Sequence, residues 1–252
     1  MRPRLFKIMT KRKIIQLNRK WHRYLGVVLG VQFLFWTLGG LYFSWTNIDE
    51  IRGTHLKNKQ PLLSASNAFV SPSVFMRHLD KQDSISAIEM VSVLQKPMYR
   101  VIVQKGQGKS VFLFDAKSGV LEEPLNKEES IVVAREKLIV SAPVEAVEYL
   151  NESGKHHEYR GRPLPAYAIT FGAPANTTAY VSTEYGNVQT FRSNEWRVFD
   201  FFWMLHTMDY EGRDNFNNIL LRAFSIFGLF TILSGFSLYI FTSRIFNRKT
   251  SK

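Results

Sequence analysis

The strongest constraint on this chain is a pair of long stretches without a charge. No Asp, Glu, Lys or Arg occurs from Tyr24 to Trp45, or again from Ala223 to Ser243. Each stretch holds eleven Leu, Ile, Val or Phe residues. At about 1.5 Å of rise per helical residue, each is long enough to cross a hydrocarbon layer about 30 Å thick. The apolar side chains favour insertion by roughly 3–7 kcal/mol per stretch, and no central charge opposes them. Both are expected to be transmembrane helices. The first reads as an uncleaved anchor: its apolar run exceeds the ~7–15 residues of a signal-peptide core, and no small-x-small site follows Trp45.

Charge orients the two spans. The 252 residues carry 33 Lys+Arg against 21 Asp+Glu. Nine of the basic residues fall in 1–23 and four in 244–252, with no acid in either segment. The remainder is balanced, 20 basic against 21 acidic. Basicity confined to the outer ends of two spans is the positive-inside pattern, and it argues against nucleic acid as a partner. It places both termini in the cytoplasm and the middle of the chain on the far side of the lipid bilayer, which in a bacterial inner (cytoplasmic) membrane is the periplasm. Aromatic residues at the span ends (Trp21, Tyr24, Tyr42, Trp45, Tyr239, Phe241) fit an interfacial belt. The absence of cysteine excludes disulfides, thiolate zinc sites, iron–sulfur clusters and covalently attached haem.

The middle of the chain alternates helical and strand patterns. Ser71 to Leu79 opens with Ser-Pro-Ser, a helix start. Tyr99 to Val103 and Ser110 to Phe114 are β-branched and aromatic runs joined by a turn holding Gly106 and Gly108, hence a hairpin. A second turn, Asp115-Ala-Lys-Ser-Gly119, leads into Val120 and Leu121. Glu128 to Val140 has helical spacing, Asn151 to Pro165 is a polar loop, and strands return at Tyr167–Phe171, Ala179–Ser182 and Val188–Phe191. Helix, strands, helix, strands suggests two copies of one small α+β unit.

At these residues the chain resembles a known family. Tyr99-Arg-Val-Ile-Val and Val111-Phe-Leu-Phe-Asp-Ala-Lys-Ser-Gly-Val-Leu are similar to the PepSY module, whose hairpin carries an Asp-x-x-Ser/Thr-Gly turn. Leu164-Pro-Ala-Tyr-Ala-Ile-Thr-Phe with Ala179-Tyr-Val-Ser-Thr-Glu-Tyr-Gly-Asn-Val resembles a degenerate second copy, with Ser182 where Asp is usual. Trp21-His-Arg-Tyr-Leu-Gly-Val-Val-Leu-Gly and Phe199-Asp-Phe-Phe-Trp-Met-Leu-His-Thr-Met-Asp-Tyr resemble the flanks of PepSY-associated transmembrane proteins. The expected fold is an α+β extracytoplasmic domain of tandem PepSY-like helix/hairpin units carried on two transmembrane α-helices. Its expected divisions are a basic cytoplasmic tail 1–20, transmembrane helix 21–46, periplasmic α+β domain 47–197, interfacial amphipathic helix and turn 198–215, transmembrane helix 216–243 and basic tail 244–252.

The resemblance implies a role in iron acquisition and, as in several relatives, a haem-bearing ferric reductase that turns periplasmic Fe(III) or a ferric siderophore into Fe(II), with a ferrous-iron transporter as a partner. Haem b would need histidine ligands. Of six histidines, His55 and His78 read as surface residues, and His156-His157 sits in a loop with Lys155, Glu158, Arg160 and Arg162, as a solvated loop or a metal or siderophore contact. His22 and His206 lie beside the spans. His22, Gly26 and Gly30 recur every four residues, a stripe that serves either close helix packing or a flat porphyrin. Arg19, Lys20 and Arg23 beside it suit propionates or the positive-inside rule. Phe199, Phe202, Trp203 and His206 share one helical face. That face is either an interfacial helix with an incidental His or an axial-ligand site with Arg213 or Arg222 near the propionates. His22 and Trp45 are separated by about 35 Å of helix, so one chain offers one histidine per membrane face. Bis-histidine haem then requires a homodimer. Gln32, polar at mid-span, is expected to hydrogen-bond across that dimer.

No Rossmann-type glycine pattern follows a strand, so the electron donor is expected to be another protein, reduced flavin or the quinone pool. The competing class is non-enzymatic: a PepSY binding module anchored beside a transporter or protease. A hydrolase finds no support, since Ser110 and Asp115 have no nearby His and no Gly-x-Ser-x-Gly elbow occurs.

Overall fold

A computed structural model describes residues 10–59, 63–64, 68–106 and 108–243. Arg2, Arg4 and Lys7 of the first basic segment, and all of the segment 244–252, lie outside the described residues. In chain order the elements are α1 Lys11–Trp45, α2 Ile48–Ile51, a 3-10 turn Thr54–Leu56, α3 Ser73–Met76, β1 Ser84–Val93, β2 Lys96–Lys105, β3 Gly108–Asp115, β4 Leu121–Glu122, α4 Lys127–Lys137, β5 Val144–Leu150, β6 Ala166–Phe171, β7 Thr177–Ser182, β8 Asn187–Arg192, α5 Asn194–Thr207 and α6 Ile219–Thr242. They form two compact units: Thr46–Phe199, and Met1–Trp45 together with Asp200–Lys252.

The α+β unit holds two antiparallel sheets, ordered β1-β2-β3-β4 and β5-β6-β7-β8. Strand alternation divides each sheet between two cores. In the first, Tyr99, Val101, Val103 and Phe114 pack with Phe75 of α3. Met98 and Leu113 point the other way, joining Val133 and Ala134 of α4 and Ile169, Phe171, Ala179, Val181 and Phe191 of the second sheet in one shared core. Leu150, Ala166, Ala168 and Tyr180 close the far face of the second sheet with Tyr159. The helix expected over Ser71–Leu79 is regular only at Ser73–Met76. The helix expected from Glu128 is α4, whose start is fixed by a capping box between Asn126 and Glu129.

The two sheets repeat one design. In the first, Asp115 Oδ1 accepts the N–H groups of Lys117 and Ser118, both at 2.8 Å, and Gly119 N–H bonds back to Asp115 O at 2.8 Å. In the second, Ser182 takes the Asp position: Gly186 N–H bonds to Ser182 O at 3.0 Å, and Ser182 Oγ receives the Tyr185 N–H at 3.4 Å. Both glycines need positive φ (+76° and +65°), and a Cβ on either would press within 3 Å of a neighbour, Val74 or Leu113. Arg100 keys the copies together. It donates from Nε and Nη2 to Tyr185 O at 3.1 and 2.8 Å and pairs with Glu89 at 3.1 Å.

The helical unit is built on a 3-4 seam. The less exposed positions of α1 include Ile15, Asn18, His22, Leu25, Leu29, Gln32, Trp36, Gly39 and Phe43, with Gly26, Phe33 and Tyr42 beside them; those of α6 include Leu221, Phe224, Gly228, Thr231, Gly235 and Leu238. Spacings of three and four keep one stripe facing a partner along a left-handed pair. Two helices cover the α1 seam in succession. α6 takes the stretch from Asn18 to Phe33, whose ring tip lies 3.3 Å from where a Gly228 Cβ would be. The last two turns of α5 take Gln32 to Phe43, with Phe202 against Gly39 and Tyr42.

Candidate functional site

An α-helix ends with carbonyls that lack intrahelical donors, and the end of α5 finds its donors elsewhere in the helical unit. Leu205 O accepts Gln32 Nε2 at 2.8 Å and the Trp36 indole N–H at 3.3 Å. Thr207 O accepts Asn218 Nδ2 at 3.0 Å, while Asn218 Oδ1 caps α6 by accepting the Leu221 N–H at 2.7 Å. Gln32 Nε2, expected to reach across a dimer, is engaged within its own chain.

These bonds hold His206 in an aromatic enclosure. Its ring centroid lies 5.7 Å from Trp36, 6.0 Å from Phe43 and 6.4 Å from Trp203, the last nearly parallel. Both indole N–H groups point elsewhere, to Leu205 O and to Asp214 Oδ1 at 3.1 Å. His206 Nδ1 is buried with no hydrogen-bond partner among the described residues. A buried imidazole nitrogen without a partner is costly whichever tautomer it takes.

His22 is held differently. Its Nδ1 lies 2.7 Å from Ser234 Oγ and 3.2 Å from Thr231 O, and its Cε1 sits 3.2 Å from where a Gly235 Cβ would be. Asn18, four residues before it, donates to Ser237 Oγ at 3.2 Å and Ser234 O at 3.3 Å. One ring nitrogen anchored to a carbonyl leaves the other for a ligand, the arrangement usual for metal-binding imidazoles. No hydrogen bond engages His22 Nε2 among the described residues. His22 turns into the α6 seam, whereas Gly26 and Gly30 rotate off it, and a Cβ at either glycine would meet nothing within 4 Å. Arg19 and Arg23 are exposed, the latter 5.4 Å over the Tyr24 ring.

The histidines are not brought together. About 21 Å of α1 separates His22 from Trp36, the nearer contact of His206 on that helix. Arg213 is ion-paired with the buried Asp200, and Arg222 is exposed, reaching Asn217 Oδ1 at 3.5 Å. Thr231 and Ser234 also bond back to carbonyls of α6 at 2.9 and 2.7 Å, so the sequence signal they carry is that of ordinary polar packing residues. Of the loop histidines, His157 Nδ1 accepts the Tyr159 N–H at 3.0 Å and its ring abuts Tyr180, which ties it into the loop. Among the described residues no group of three or more His, Asp or Glu gathers as a metal site.

The two histidines expected as ligands thus offer an anchored imidazole at His22 and, at His206, an aromatic enclosure with an orphan nitrogen. The propionate partners expected near His206 are less well provided, because Arg213 already neutralises Asp200.

Two helices long and apolar enough to cross a membrane, α1 and α6, flank a doubled helix-and-hairpin domain. This defines a membrane protein carrying a PepSY-type α+β domain. The family described as PepSY-associated TM region matches residues 1–241, and the chain belongs to it. Neither curated proteins nor solved structures give a match.

Proposed function

We propose that this chain is a haem b protein of the bacterial inner membrane that acts as a ferric reductase, passing electrons to periplasmic Fe(III) or a ferric siderophore. The reading places both termini in the cytoplasm and the PepSY-type domain in the periplasm. The observation that carries it is His206, a buried imidazole with an unused nitrogen and aromatic walls. His22, anchored through Nδ1, supports it at the other end of the span. Bound haem supplies one-electron transfer. The chain's part is to hold the ring planes: Ser234 and Thr231 orient His22, and Gln32 and Trp36 fix the carbonyl beside His206. With one histidine at each end of the span, haem would be held by the same histidine from each of two chains, like facing like. The electron donor is a diffusible reduced flavin, a quinol or a cytoplasmic protein. Reduction loosens ferric iron from hard oxygen ligands, which suits delivery to a ferrous-iron transporter.

The test is the absorption spectrum of the full chain purified in mild detergent. A Soret band that shifts on dithionite reduction, with haem content lowered in both His22→Ala and His206→Ala, is the expected result. A colourless preparation that takes up no added haem overturns the reading and leaves an anchored binding module.

A further inference from the structure

The α+β unit gathers cations where a fold alone has no reason to. Lys57 follows the 3-10 turn Thr54–Leu56, Arg162 lies in the loop before β6, and Arg192 ends β8. Gly53 brings the first of these segments onto β8: a Cβ there would lie 3.1 Å from Phe191 Cβ. Arg162 Nη1 reaches Gln189 O of the same strand at 3.4 Å. Arg192 is only 9% exposed. It lies 4.0 Å over the Trp196 ring, with Nε donating to Glu158 O at 3.0 Å and Nη1 to Phe191 O at 3.3 Å.

Among the described residues none of the three forms a salt bridge with a carboxylate. The Glu158 carboxylate acts on Arg192 through its charge, but its oxygens are already taken by Arg197 at 2.8 and 3.0 Å and by the Tyr180 hydroxyl at 2.6 Å. The cations instead press on one another. Burial, then Lys137, Arg162 and Arg192, lowers the Lys57 pKa. Burial, then chiefly Arg162, pushes Arg192 down to about 10. Confining like charges at reduced hydration costs stability unless an anion joins them. The guanidinium forks are shaped for carboxylate or phosphate oxygens.

We infer that Lys57, Arg162 and Arg192 form a binding site for a small polyvalent oxyanion, a molecule bearing two or more carboxylate or phosphate groups. The site is independent of haem, and the spectrum above does not bear on it.

Calorimetric titration of the full chain in neutral detergent tests this with citrate, pyrophosphate and, as a monovalent control, acetate. Citrate or pyrophosphate is expected to bind saturably and raise the melting temperature, the stronger of the two identifying the carboxylate or phosphate class, while acetate does neither. Lys57→Gln and Arg162→Gln, both away from the core, should each weaken binding about tenfold or more. Neither should lower the melting temperature without ligand, since each relieves a like-charge contact; a drop there would mark a structural role and count against the site. The inference is overturned if neither polyanion binds at millimolar concentration, if acetate binds as tightly, or if both variants bind as the parent does.

Discussion

Asp115 shows how a single turn residue is tied to stability. Burial alone would raise its carboxyl pKa, but the N–H groups of Ser118 and Lys117, the Ser118 hydroxyl and the charge of Lys96 outweigh that and lower it from the ordinary 3.8. A carboxylate with a lowered folded-state pKa contributes stability above its unfolded value and loses it as pH falls through the lowered one. The melting-temperature gap between parent and Asp115→Asn should therefore be constant near neutrality and close below about pH 4. Thermal scans from pH 3 to pH 7 read this directly. Gly119, four residues on, combines a left-handed backbone with a Cβ position 2.8 Å from Val74, whereas Gly106 shares the backbone (φ +59°) but has open space around it. Gly106→Ala should cost about 1–2 kcal/mol, the price of the conformation alone. Gly119→Ala should cost clearly more, and comparing unfolding midpoints of the two variants separates strain from crowding.

Among elements, what the sequence reveals depends on burial. β2 and β3 are central, alternate cleanly, and are legible from Tyr99–Val103 and Ser110–Phe114. β1 and β5 are not, for a shared physical reason. Each is the edge strand that opens its sheet, mostly exposed, and each carries an irregularity near its start, at Ile85/Ala87 and Val144/Ala146. Edge strands need no alternating apolar face, and a bulge breaks what pattern there is. In α1 the difficulty is reversed. With apolar residues all round, periodicity cannot say which side meets a partner, so the four-residue stripe His22, Gly26, Gly30 looked as good as the real seam. The polar residues Asn18, His22 and Gln32 mark that seam at spacings of four and ten, but only contacts with α5 and α6 show it. Gln32→Leu keeps bulk and removes the bond to Leu205 O; it is expected to destabilise the helical unit by about 0.6–2 kcal/mol in detergent unfolding.

For the whole molecule, the family and the two-span α+β architecture were readable from motifs and charge, while the candidate sites were readable only in part. His22 and His206 stood out by position, yet the hydroxyl behind His22 and the orphaned nitrogen of His206 depend on residues more than two hundred and about one hundred and seventy positions away, respectively. The basic triad is more scattered still, with Lys57, Arg162 and Arg192 in three unrelated segments that only the fold of the second sheet assembles. If two chains pair for the proposed redox role, the bare face of α1 is where room exists. The double variant Gly26→Leu, Gly30→Leu should not lower the melting temperature, because a Cβ at either position meets no packed neighbour within 4 Å. Its mass by light scattering should nonetheless fall from dimer to monomer, with haem content falling alongside.

The two-part cover of α1 also has a consequence for how the protein is made. The ribosome delivers α1 to the bilayer long before α5 and α6 exist. In that interval the Gln32 amide at mid-span faces lipid with nothing to bond to, a cost that hydrocarbon cannot relieve. The nascent first helix is thus a client for whatever insertion machinery shelters polar groups, and a chain stopped before Asp200 would remain one.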